Sequence, residues 1–456
     1  MVIARPLILV SKGTIMQKAV RYSLFALSVT VFISIIQRQA SADKGLAQWE
    51  DPFPRISVTL SDLPDTLTLQ DALSLVAFTN PLLKAGNLSV QAAENEIVQA
   101  GAMSNPELEI EAEDVGGDRG GFGESEITAL LSHEIEVWGQ RGARREVARA
   151  QKLLGEFGAR SDAYRIYAET KNRFYALSGA QQKLQLAQTD VEFAEQIVDA
   201  VRLRVEEGAA MESELFLAET GLERAKLELS AAEAHMTEAQ LYLSTLWGEP
   251  RQDFCCVEDT FLAAIPESEI LATAVKESKE AFEFRLIRSI METELKLEKR
   301  EWRPNPTFSG GFKRSEAEKV TSFVAGLSLP LPILNRNQSG AKAWGARTAA
   351  VTLKEEQARR EAAARVRTAL EKLGQLQTSL SALDRTIIPK SRLAYQSLRT
   401  AYQNGRIPLT QLLESERTLI EVRSQRLDLK KEFREQIVAL EAFLGVRYDN
   451  LLTIGE

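Results

Sequence analysis

Apolar residues recur along this chain at two different periods, and the period switches in a fixed order. Over residues 68–102 the spacing is helical, with a break at Asn80-Pro81 and Thr68 placed as the N-cap before "LQDAL". At "PELEIEAEDV" the period becomes two. Leu108, Ile110 and Ala112 fall on one face, and Glu107, Glu109, Glu111 and Glu113 on the other, which predicts a strand over about 106–115. The glycine-rich "GGDRGGFGES" reads as a loop. A second strand over about 126–138 follows, with Ile127, Ala129, Leu131, Ile135 and Val137 on one parity. His133 shares that parity, a mild conflict that a strand end or a bulge would resolve.

The spacing then predicts a very long helix over about 142–207, in which Val191, Val198 and Val205 stand seven apart with Ala194 and Val201 between them. That is a coiled-coil seam. Gly208 breaks it, and a second helix runs over about 210–246. After a linker at 249–266 the order begins again: helix over 267–301, strands over about 306–313 and 321–333, and a long helix over about 340–403. In that helix Val366, Leu373, Leu380 and Ile387 are seven apart, and Pro389 predicts a kink. Gly405 breaks it, and a last helix covers about 408–444. Gly208 and Gly405 are 197 positions apart, as are Gly248 and Gly445. Two tandem copies of one helix–strand–strand–helix–helix unit, 68–248 and 267–445, account for that offset, with a tail at 446–456.

The N-terminus changes the picture. Lys18 and Arg21 precede an apolar run from Leu24 to Ile36, and Ala40-Ser41-Ala42 offers a small-residue cleavage site, so residues 1–42 read as an export signal, started at Met1 or Met16. The alternative, an uncleaved anchor, would need a longer apolar run than this one. Residues 43–67 form an extension. The full chain carries a net charge of −8, and residues 1–42 hold five Lys or Arg and no acid, so the exported part is more acidic still. This disfavours a nucleic-acid partner.

The candidate chemistry is sparse. The two cysteines, Cys255 and Cys256, are adjacent, so a strained vicinal disulfide or a pair of linker thiols is open, but no long-range framework is. With two histidines, His133 and His235, a closed zinc or copper site is not expected. "GGDRGGFG" lacks the Lys-Ser/Thr ending of a phosphate loop, and no nucleophile motif is visible; the expectation is no enzyme and no cofactor.

Each chain thus offers four strands of a length that suits a tilted membrane strand. An open sheet edge is not tolerated in lipid, so four strands must close with those of other chains, and three copies would give twelve. The alternative is a soluble sandwich with one solvated face. Trp138, at the end of one strand, and Trp302, before another, would lie at the same rim, as an interfacial belt requires. Helices of ~65 residues, about 100 Å long, are too long and too polar for lipid and must project away as a tube.

These elements resemble the outer-membrane efflux proteins of the TolC family over residues 66–447. The resemblance is carried by the repeated Gly–x6–Leu–(Leu/Phe)–x–x–Glu tips and by "SNPELEIEAEDVGG" and "SHEIEVWGQRGARREVARA". The last two are similar to the cobalt-zinc-cadmium resistance branch, which commonly has Gln-Pro where this chain has His133-Glu134 and Gly-Gly-Lys-Arg where it has Trp-Gly-Gln-Arg.

The resemblance implies a mainly α chain with a membrane β part. Three copies would form a channel-tunnel, with a twelve-stranded β-barrel and a periplasmic α-barrel of coiled-coil helices. It implies docking tips at Gly208, Ala209, Ala210, Met211, Gly405, Arg406, Ile407 and Pro408. These would meet a periplasmic adaptor, which links a resistance-nodulation-division pump in the inner membrane. It also implies an acidic pore entrance at Glu414, with Gln411 where a second acid is often found and Glu214 as the counterpart of Gln411. Glu107, Glu109, Glu111 and Glu113 would then line the barrel lumen. The plain alternative for each glutamate is a solvated surface residue. The function expected is passive export of heavy-metal cations. A duct for drugs or secreted polypeptide is the alternative, and a soluble periplasmic scaffold a remoter one.

Overall fold

The computed structural model describes residues 52–54, 66–115, 121–248, 250, 254–256, 265 and 278–447. The export signal and most of the extension lie outside them, as do much of the linker and the end of the tail. The described residues belong to one unit within 51–456, and it is mainly helical.

A two-residue strand, β1 (Thr66–Leu67), leads into α1 (Leu69–Thr79). Thr68 caps α1 through a reciprocal box: Asp71 N–H donates to the Thr68 hydroxyl (3.2 Å) and Thr68 N–H to the Asp71 carboxylate (3.1 Å). Asn80 ends α1 and opens α2 (Pro81–Ala100). Its Oδ1 accepts from Leu82 N–H at 2.9 Å, and Pro81 takes the first-turn position where no N–H is needed.

The four-stranded sheet follows the order β2 (Glu107–Glu113), β3 (Glu126–Glu134), β5 (Thr307–Ser315), β6 (Val320–Ser328), antiparallel throughout. β3 and β6 are shorter than the alternation suggests. β3 stops at Glu134 because its partner β5 begins at Thr307, beside Pro306, which has no N–H to give. Val137 and Trp138 therefore lie in the connection. β6 stops at Ser328 because Pro330 and Pro332 interrupt the ladder. His133 sits one residue from the end of β3, opposite Phe308, with its Nδ1 buried and unpartnered.

The longest element is α3 (Gln140–Glu206), 67 residues, or about 100 Å. It packs against α2, α4 (Glu212–Ser244), α5 (Lys279–Glu301) and α8 (Leu409–Leu444). Of the α3 seam, Ala194, Val198 and Val201 are buried with Ile197, while Val191 and Val205 are partly covered.

The seam of the other long helix shows a correction. α6 (Gln338–Ala382) buries Val366, Leu373 and Leu380 against Phe433, Leu440 and Leu444 of α8. It then passes through a π turn at Leu383–Ile387 into α7 (Ile388–Gln403). That wider turn leaves Ile387 exposed and moves the seam by one residue, to Ile388, Tyr395 and Tyr402. The cause is Pro389, whose ring would crowd the Arg385 carbonyl in a regular α turn and which has no N–H to bond it.

Another finding is that the extension and the linker meet. β1 pairs in parallel with β4 (Cys255–Cys256). Around this pair Leu67, Leu75, Val76, Phe174, Leu177, Leu243, Trp247 and Phe254 form one core. Cys255 is exposed and Cys256 packs against that core. Successive strand residues point to opposite faces, and no disulfide joins Cys255 to Cys256.

Candidate functional site

The two helix breaks have the same backbone geometry. Gly208 and Gly405 both lie in the left-handed region, at φ +72° and +70°. At the first break Gly208 N–H donates to Val205 O (2.9 Å) and Ala209 N–H to Arg204 O (2.7 Å). At the second, Gly405 N–H donates to Tyr402 O (2.9 Å) and Arg406 N–H to Ala401 O (2.9 Å). Both are Schellman closures, which satisfy the last helix carbonyls and favour glycine at this conformation. Gly208, Ala209, Met211, Gly405, Arg406 and Pro408 are exposed; Ala210 and Ile407 are half-buried. Ile407 rests against the cluster of Val201, Leu409 and Leu412.

The two breaks are tied together by a residue that periodicity does not single out. Arg204, in the last turn of α3, donates from Nη1 to the Tyr402 carbonyl (3.1 Å) and from Nη2 to the Ala209 carbonyl (3.0 Å). Its guanidinium lies 4.5 Å from the Tyr402 ring centre. The buried Tyr402 in turn donates its hydroxyl to Glu214 at 3.2 Å. Burial, with the Glu214 carboxylate beside it, pushes the Tyr402 phenol up to about 12. Tyr402 continues the shifted seam of Ile388 and Tyr395, which is the signal in the sequence for it; Arg204 has none, since the matching place before Gly405 is Ala401.

Glu214 therefore occupies a hydrogen bond to the neighbouring tip. Gln411 and Glu414 stand exposed on the first turns of α8. Glu414 borders a groove of about 710 Å³ between α3, α4 and α8, together with Asp190, Glu416, Arg224 and Arg417.

At the far end of α3, the register of the sheet sorts most side chains by face; His133, Arg314 and Thr321 fall on the apolar face, and Leu130 and Val324 on the polar one. Residues paired across antiparallel strands share a face. Leu108, Ile110 and Ala112 thus lie beside Ala129, Leu131 and Ile127, then Phe308 and Phe312, then Phe323, Ala325 and Leu327. These large apolar side chains are exposed, Ile110 to 68% and Phe323 to 69%. The opposite face carries Glu107, Glu109, Glu111 and Glu113 beside Glu126, Thr128 and Ser132, then Ser309 and Lys313, then Ser322 and Ser328. Lys313 is within 3.5 Å of Glu113 and also ion-paired with Glu126. It stands on the opposite parity from Phe308 and Phe312, so the alternation of β5 was a sufficient signal for its face.

Gly311 has no room for a side chain, because a Cβ there would lie 1.9 Å from the Ala129 carbonyl oxygen. Trp138 follows β3 and Trp302 precedes β5. Trp138 Nε1–H donates to Pro304 O at 2.8 Å, so the two tryptophans are held at one end of the sheet.

Among the described residues, no group of His, Cys, Asp and Glu is arranged to hold a metal ion, and no helix is long and apolar enough to cross a membrane. What the arrangement offers is surface and field: an exposed apolar sheet face, an acidic sheet face behind it, and two exposed tips about 100 Å away along α3.

The chain is 26% identical over 411 residues to the cobalt-zinc-cadmium resistance protein CzcC of Cupriavidus metallidurans, covering 89% of this chain and 96% of that one. It is 24% identical over 311 residues to the nickel-cobalt-cadmium resistance protein NccC of Alcaligenes xylosoxydans xylosoxydans, covering 68% and 70%. A crystal structure of CusC, described in terms of transmembrane channel formation, superimposes with a TM-score of 0.70 at 18% identity, covering 87% of this chain and 99% of that one. Residues 72–249 and 293–446 match the model of the outer membrane efflux proteins, and the chain belongs to that family.

Proposed function

We propose that this chain is the outer-membrane duct of a tripartite system that exports heavy-metal cations. The observation that carries the proposal is the sheet register: a face of large apolar side chains, broken by Arg314 and Thr321 beside Ile127 and by His133 opposite Phe308, an acidic face behind it, and two open edges, β2 and β6. Such a sheet suits lipid only when its edges are paired, and three copies edge to edge would complete a twelve-stranded barrel. The apolar face would meet lipid, with Trp138 and Trp302 at the interface. Glu107, Glu109, Glu111 and Glu113 would face the lumen and favour cations over anions. The long helices would enclose a periplasmic tunnel, and the same order of elements before and after the linker supports a chain built from two tandem repeats.

The exposed tips around Gly208 and Gly405 would receive a periplasmic adaptor, and through it a resistance-nodulation-division pump. The names of the relatives, which speak of cobalt, zinc, cadmium and nickel resistance, support divalent metals as cargo. Conduction would be passive, with the selection of cargo resting mainly in the pump.

Deleting the gene and measuring growth on zinc, cobalt, cadmium, nickel and copper tests this reading. The expected result is sensitivity to one or more of these metals, restored by the wild-type gene. Unchanged metal tolerance together with new sensitivity to organic drugs would assign the duct to drug export instead.

A further inference from the structure

Glu219 and Glu416 each stand eleven residues after a tip glycine, yet their surroundings differ. Glu219 lies half exposed, 3.8 Å from Arg202. Glu416, on α8, has its Oε1 buried with no hydrogen-bond partner among the described residues. Asp190 faces it from α3, and Glu228 from α4 faces Asp190 in turn. From α7 comes Tyr395, only 3% exposed, whose hydroxyl is also buried and unpartnered. The Tyr395 ring is fixed by stacking on Phe193, with centroids 5.1 Å apart.

The cations in reach are at the margins. Arg399 acts on Tyr395 from α7, and Arg224 and Arg417 border the groove with Glu414 and Glu421. Arg423 lies over Phe193, 6.0 Å from the ring centre, with Arg392 near it. Burial, with the Asp190 charge second, pushes the Glu416 carboxyl up to about 8. Burial, helped by Glu228, raises Asp190. Burial first, then Glu416, pushes the Tyr395 phenol up to about 12, so it stays an O–H donor.

We propose that Glu416 is a proton-operated latch beside the tips: with its proton it holds α8 against α3 and α7, and without it that seam loosens. With its proton the carboxyl gains an O–H to give and keeps an oxygen to accept with, and the groups around it are the Asp190 carboxylate and the Tyr395 hydroxyl, which it does not bond in this structure. Drawing α8 in to make those bonds would partner two polar atoms that are buried without one. On ionisation the proton leaves to water, and two carboxylates then face each other in the seam.

The sign follows from linkage. A carboxyl whose packed-state value lies above its unfolded value destabilises the packed state once ionised. Seam stability is therefore full below about 4.5, falls as pH rises towards about 8, and is level above that. The latch rests on helix packing and holds whatever cargo the tunnel conducts.

The test uses the full chain purified in detergent. Infrared difference spectra between about pH 6 and about pH 9 should contain a protonated-carboxyl C=O band that Glu416→Gln removes. Thermal midpoints of the wild type should fall by several degrees over the same range, while those of Glu416→Gln stay nearly flat. Asp190→Asn, which removes the facing charge, should move the wild-type transition to lower pH. An unchanged carboxyl band in Glu416→Gln would overturn the latch, as would parallel pH profiles for wild type and both variants. Should Glu416→Gln fail to fold, the Asp190→Asn shift decides alone.

Discussion

Glu214 lies in the first turn of α4 and Glu414 in the second turn of α8, and only one is committed to a partner. Glu214 accepts the Tyr402 hydroxyl and thereby helps to tie the two tips. Glu414 is exposed and, among the described residues, its carboxylate makes no ion pair; only its backbone carbonyl is engaged, accepting from the Thr418 hydroxyl. Removing its charge should therefore leave folding alone. In Glu414→Gln the thermal midpoint is expected to match the wild type, while single-channel recordings show reduced cation preference and weaker block by divalent cations. Identical selectivity in both would reduce Glu414 to an ordinary helix-surface residue.

At the scale of elements, the tips are the places where local backbone chemistry dominates. Nothing crowds Gly208, and only the Arg204 guanidinium comes near Gly405, 3.7 Å from where a Cβ would stand, so the positive φ rather than space demands glycine. Valine resists that conformation by about 1–2 kcal/mol. Gly405→Val should distort one tip, weaken adaptor binding in a pull-down or surface-capture measurement, and leave the distant sheet and the oligomeric state intact. Loss of the oligomer as well would mean that the break belongs to the global fold and not to a local docking element. The π turn shows the opposite balance: a single proline shifts a seam of several turns by one residue, because every downstream contact inherits the phase.

For the whole molecule, the decisive feature is a sheet whose large apolar side chains are exposed in the single chain. A charged residue at the lipid face costs ~2–4 kcal/mol near mid-membrane, and a threefold assembly would incur it three times. Leu108→Arg and Leu327→Arg, one near each edge of the sheet, are expected to abolish heat-sensitive oligomer bands on electrophoresis and to lower the yield in the outer-membrane fraction. Wild-type yield of both variants would place this face elsewhere than in lipid.

Much of this was legible in the order of residues alone. Alternation in "PELEIEAEDV" set Leu108 and Ile110 against four glutamates, because a strand has only two faces. Thr68 announced a helix start, and Gly208 and Gly405 announced helix ends, because caps are local chemistry. Other features needed the folded chain. That Glu214 reaches Tyr402, that Arg204 spans two tips, and that Thr66-Leu67 pairs with Cys255-Cys256 all depend on residues far apart in sequence, which periodicity cannot bring together. The seam offset after Leu380 needed the π turn, since Pro389 alone predicts a disturbance but not the phase in which the helix resumes. Glu219 and Glu416 read alike as motif positions; only packing left one beside an arginine and the other half-buried opposite an aspartate. Local sequence determines what neighbours along the chain can do; burial and charge partners are properties of the assembled helices.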